Sequence, residues 1–147
     1  MKKNMFPILL CLMIGFLMGN FIFNQYKKKT NVVSLTGENL YFLSIGSYKT
    51  KEEMKKELSS FTYYIYRKEN DSYYAYIGIT KDLDNLKKLK GFYKDKGYII
   101  SEKKIFVSNI AFLTVLEQYD MLLKSNDNIE AIESQVLSKY EETTNED

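Results

Sequence analysis

Thr62 to Ile79 reads TYYIYRKENDSYYAYIGI, two runs rich in aromatic and branched residues on either side of a polar cluster. Strand-forming side chains interrupted by Glu-Asn-Asp-Ser predict a β-hairpin, with strands over Thr62–Lys68 and Tyr73–Ile79. Upstream, Leu40 to Ile45 alternates as a strand does. Lys51 to Phe61 then places Met54, Leu58 and Phe61 on one helical face. Thr50 stands where an N-cap belongs, with Glu53 three residues on to complete a capping box. Downstream, Leu83, Leu86, Leu89 and Tyr93 repeat at helical spacing after Asp82, and Gly97 ends that helix. Tyr98 to Val107, YIISEKKIFV, supplies the last strand.

The predicted order is strand, helix, strand, strand, helix, strand. This is an α+β, ferredoxin-like βαββαβ arrangement, with both helices on one face of a four-stranded antiparallel sheet. Two further helices are expected, over Ile110–Leu123 and Ile129–Tyr140. In the second, Ile129, Ile132, Val136, Leu137 and Tyr140 form a narrow apolar stripe that needs a partner surface.

Ahead of this domain, Met5 to Phe23 carries no charge over 19 residues. That is long enough as a helix to cross a hydrocarbon core of about 30 Å. The segment is expected to be an uncleaved transmembrane anchor. A cleaved signal peptide is the alternative, but Phe21-Ile22-Phe23 offers no small-residue cleavage site. The division by sequence is therefore an anchor over 1–29, a linker over 30–39, a domain over 40–109 and an acidic helical extension over 110–147. Lysines flank the anchor on both sides, so charge alone does not orient it.

Charge bounds the partners. The whole chain is +2, but five of its lysines lie in the first 29 residues, and Glu117 to Asp147 carries two basic and nine acidic side chains. A nucleic-acid partner is not expected. Histidine is absent and the single cysteine, Cys11, lies in the anchor. The usual general base, thiol nucleophile and zinc ligands are thus missing, and neither an enzyme nor a cofactor is expected. Glu52/Glu53 and Asp82/Asp84 are acidic pairs, but each sits at a helix start, where acids complement the dipole. A phosphate-binding loop between the first strand and first helix is disfavoured, because that loop has only Gly46.

YFLSIGSY (Tyr41 to Tyr48) together with YAYIGITKDLDNLKKLKGFYKDKGY (Tyr74 to Tyr98) resembles the two halves of a SPOR domain, a family of peptidoglycan-binding modules of bacterial division and sporulation proteins. The resemblance covers roughly Leu40 to Asn109. It implies a membrane-anchored, non-catalytic envelope protein that binds denuded glycan strands along the open face of the sheet. The N-terminus would then be cytoplasmic and the domain extracytoplasmic, with division or sporulation proteins as further partners. Ser47 matches the family's glycan-contacting serine, while Ser44 stands where the family commonly has glutamine. A protein adaptor that docks partners at the membrane through the same domain and its C-terminal helices is the alternative.

Strand parity offers an independent view of that face. With Leu43, Ile45, Ile65, Ala75 and Ile77 toward the helices, Phe42, Ser44, Tyr64, Tyr66, Tyr74 and Tyr76 point away. With Ser47 these are the expected glycan-binding residues. Tyrosine rings stack on sugar faces while their hydroxyls hydrogen-bond. Tyrosine is also a good strand former, so the same pattern fits plain scaffold, or a face buried by the Ile110–Leu123 helix.

Overall fold

The computed structural model describes residues 37–144. The expected anchor and most of the linker lie outside them. Among the described residues, no helix is long and apolar enough to cross a membrane. The elements are β1 (Glu38–Tyr48), α1 (Lys51–Glu57), β2 (Ile65–Glu69), β3 (Ser72–Thr80), α2 (Leu83–Asp95), β4 (Ser101–Val107), α3 (Ile110–Ser125) and α4 (Ile129–Thr144). They form an α+β domain around one four-stranded antiparallel sheet of order β2-β3-β1-β4.

Local chemistry sets most boundaries. Thr50 accepts the Glu53 N–H at 3.2 Å, and the Glu53 carboxylate reaches back to the Lys49 N–H at 3.2 Å, one residue before the expected partner of a capping box. Asp82 caps α2 by accepting the N–H groups of Asp84 and Asn85 at 2.9 and 3.0 Å. Gly97 follows α2 at φ +89°, a left-handed conformation that suits glycine. In the β2–β3 turn Asn70 adopts φ 53°, which asparagine tolerates better than most residues. Several expected boundaries shift. α1 stops at Glu57 rather than Phe61, ahead of Ser59-Ser60, and β1 starts at Glu38, inside the expected linker, and runs on through Gly46 and Ser47 to Tyr48 instead of turning at the glycine. β2 starts at Ile65 rather than Thr62, and β4 at Ser101 rather than Tyr98.

Two irregularities break the alternation of β1 and β3. The pairing slips between Leu43 and Ser44, leaving Ile77 extra on β3, and again between Ser44 and Gly46, leaving Ile45 extra on β1. Parity counted straight through these points fails at several residues. α1 and α2 cover the face that carries Ala75, Tyr48 and Gly78, where Met54 and Leu58 join the core and the Leu89 side chain approaches Gly78. Tyr66 lies on this same face, paired beside Ala75, with the Lys51 ammonium 4.9 Å from its ring centre. Ile65, expected to face the helices, pairs instead with Tyr76 on the other face.

That second face is half covered. α4 lies across it with all five of its stripe residues buried, and Tyr140 meets Phe42 edge-on at 5.2 Å and Phe112 of α3 at 5.1 Å. Phe42 and Tyr76 are consequently 0% exposed. β2 pairs with β3 only as far as Tyr76, so the last residues of β3 have a free edge. Side chains close it: Tyr93 donates to the Ile77 carbonyl at 3.4 Å and Glu133 of α4 accepts the Ile79 N–H at 2.9 Å. α3 is fixed by Asp120, whose side chain accepts from the Thr80 hydroxyl, the Lys81 N–H at 3.1 Å and the Asn85 amide at 2.9 Å.

Candidate functional site

The half of the second face that α4 leaves uncovered is the candidate site. Phe42, Ser44 and Tyr76 form a buried floor beneath it, out of a ligand's reach, Phe42 and Tyr76 being 0% exposed. Above the floor, Ser47 is exposed and is the cross-strand neighbour of the half-buried Tyr74. Lys103 of β4 holds its ammonium 5.6 Å from the Tyr74 ring centre and pairs with Glu69 of β2. The Glu69 carboxylate holds this ammonium beside the ring, and that hydrogen bond raises the Lys103 pKa. Arg67 marks the boundary with α4: its guanidinium lies 5.9 Å from the Phe42 ring centre and donates to the Tyr140 hydroxyl.

One atom in this set is poorly satisfied. The Tyr76 hydroxyl is buried with no hydrogen bond of ordinary geometry, Lys103 lying near enough to act on it, and burial raises its pKa. A buried hydroxyl without a partner costs free energy on the order of 1–3 kcal/mol, and this one lies among Lys103, Glu69 and Arg67, the charges that act on it.

The expected residues therefore divide. Phe42, Ser44 and Tyr76 share the face as floor, and Ser47 and Tyr74 stand on it accessibly. Tyr66 is on the opposite face, and Tyr64 precedes β2 and is half-buried against the core. Arg67, Glu69 and Lys103 were not singled out by sequence. The alternation of Arg67 and Glu69 along β2 was visible, but their face depends on the hairpin register, and Lys103 depends on the β1–β4 register. The arrangement offers an aromatic platform, hydroxyls and fixed charges, which suits holding a polar, uncharged ligand.

A second concavity, a cleft of about 430 Å³, lies between Glu38, Lys81, Asp82, Glu117, Asp120 and Lys124. Its charges satisfy one another: Lys81 bridges Glu38 at 3.4 Å and Glu117 at 2.5 Å, and Lys124 pairs with Asp82 at 2.5 Å. Lys124, then the Asn85 N–H, holds Asp82 below the usual carboxylate range, as befits an ionised cap rather than a proton donor. Among the described residues, no group of three or more histidine, cysteine, aspartate or glutamate side chains could hold a metal ion.

No protein-family model matches the chain, searches among curated proteins and solved structures return no match, and none of them identifies a SPOR domain.

Proposed function

We propose that the protein is a non-catalytic binding module of the bacterial envelope, held to the membrane by Met5–Phe23, whose uncovered half-sheet takes peptidoglycan glycan strands. The βαββαβ order, with α1 and α2 on one face, fits a ferredoxin-like, SPOR-type domain, in line with the resemblance of Tyr41–Tyr48 and Tyr74–Tyr98. The observation that carries the reading is the pairing of Ser47 with Tyr74 beside Lys103 on the open half-face. A sugar ring stacked on Tyr74 places its hydroxyls within reach of such groups. α4 shortens the groove to this half, so the module is expected to grip few sugar units.

Retention of the detergent-solubilised chain on purified sacculi, before and after amidase treatment, tests this. Glycan binding predicts retention that rises when amidase strips the stem peptides and falls in a Tyr74→Ala, Ser47→Ala double variant. Retention that ignores both changes would refute glycan binding at this face. An adaptor is left with less surface than the sequence suggested, because the α4 stripe is spent on the sheet.

A further inference from the structure

α3 has an outward side unlike that of the other long helices. Ile110, Thr114, Gln118, Met121, Leu122 and Ser125 fall within about 120° of one another at about 100° per residue, and all are exposed and uncharged. Ile110, Met121 and Leu122 are 51, 71 and 49% exposed. The hydroxyls turn inward: Thr114 donates to the Ile110 carbonyl at 2.9 Å, and Ser125 lies 3.4 and 3.3 Å from the carbonyls of Met121 and Leu122. Gln118 is left as the polar group of the stripe. By contrast α2 exposes Asp84, Lys87 and Lys94, and α4 exposes Glu130, Glu141 and Glu142, as solvent-facing helices ordinarily do.

α3 lies at the end of the domain where the described chain begins, passing the start of β1, since Glu38 and Glu117 share Lys81. At the same end Asn39 pairs with Phe106, which is 61% exposed. Thirteen residues separate the uncharged run Met5–Phe23 from Gly37. That many residues reach at most about 45 Å, while α3 itself measures about 24 Å. A bilayer holding Met5–Phe23 is within reach of the whole stripe.

We propose that the outward stripe of α3 docks on the lipid bilayer at the boundary of headgroups and acyl chains, setting how the domain stands on the membrane. The inference rests on the anchor reading above. The three apolar side chains present on the order of 200–300 Å², well short of the roughly 800 Å² per partner of a lasting protein interface. A surface already tethered to its target needs far less, because docking is then intramolecular. The charged border beside the stripe, with Glu38, Asp82, Glu117 and Asp120 against Lys81 and Lys124, is net acidic. Docking is therefore apolar and does not depend on anionic lipid.

The test uses the full chain with Cys11→Ser, reconstituted in phosphatidylcholine vesicles and labelled with an environment-sensitive fluorophore at Met121→Cys or Asp71→Cys. Residue 71 lies in the β2–β3 turn at the opposite end of the sheet. Quenching by nitroxide-bearing lipid is expected to be at least about threefold greater at 121 than at 71, and to fall to the level of 71 when Leu122→Glu is added. Equal quenching at both sites in chains that withstand an alkaline carbonate wash overturns the proposal while the anchor reading stands. A probe at 121 shielded from aqueous iodide yet untouched by lipid quencher also overturns it, and assigns the stripe to a second copy. Chains that wash off the vesicles overturn it through the anchor reading instead.

Discussion

Glu133 should make this domain less stable as pH rises through neutrality. The carboxyl is wholly buried on α4, accepts the Ile79 N–H at 2.9 Å, and is pushed up to about 8 by burial, opposed by that hydrogen bond and reinforced by the nearby Asp120 charge. Tyr93 is the other titratable neighbour, itself raised by burial and by Glu133. Between the unfolded value of 4.5 and the folded value of about 8, the folded protein holds a proton that the unfolded chain has released. The stabilisation is complete below 4.5, shrinks as pH rises, and is gone above about 8. At about 1.4 kcal/mol per pH unit the swing amounts to a few kcal/mol, a large share of a small domain's stability. Glu133→Gln keeps an oxygen for the Ile79 N–H and removes the ionisation. Urea unfolding followed by circular dichroism from pH 5 to 9 should give a falling midpoint for the native protein and a nearly level one for the variant, the curves parting most above pH 8. The chain has no histidine, so few other groups titrate in this window. Parallel curves for the two proteins would refute the argument.

The remaining predictions concern the face and the braces around it. Tyr74→Ala with Ser47→Ala should weaken retention on amidase-treated sacculi roughly three- to tenfold for the ring alone, with the melting transition nearly unmoved. Tyr76→Phe removes a buried, poorly satisfied hydroxyl and should be neutral or stabilising by up to about 1 kcal/mol in thermal unfolding, with retention on sacculi unchanged because that hydroxyl is out of a ligand's reach. Asp120→Ala orphans the Thr80 hydroxyl, the Lys81 N–H and the Asn85 amide and should cost about 3–5 kcal/mol in denaturant titration. Deleting Asn128–Asp147 uncovers Phe42 and Tyr76 and should abolish the cooperative transition and turn on binding of a hydrophobic dye; a truncated domain with an unchanged midpoint would show that α4 is not part of the core.

The elements were legible in sequence because each rests on local chemistry: the Thr50 and Asp82 caps, Gly97 after α2, and the polar turn at Asn70 all lie within a few residues of what they control. The face assignments were less so. A period of two carries no mark of an extra residue, so Ile45 and Ile77 shifted the count, and Tyr66 and Ile65 changed sides. The α4 stripe announced that it needed a partner, but an amphipathic helix does not encode which surface receives it. Tyr140 therefore came to lie on Phe42 in a half-face that parity alone presented as open. Arg67, Glu69 and Lys103 escaped for a related reason, since they converge from three strands whose registers are tertiary facts. Glu133 read as one more acid of an acidic extension, and only its place against the β3 edge gives it a role.

The helix that crosses the sheet also dictates when the domain can finish folding. Arg67 reaches Tyr140 across 73 positions of sequence and Tyr63 reaches Glu141 across 78, so part of the core is closed by residues made long after the strands they cover. Until residues 129–144 emerge from the ribosome, the hairpin and β1 stand with an apolar floor bare and the end of β3 unpaired, the state most prone to strand addition from a neighbouring chain. Contacts of such separation also slow folding. Synthesis paused or cut short within α4 should therefore yield an aggregating product rather than a smaller working domain.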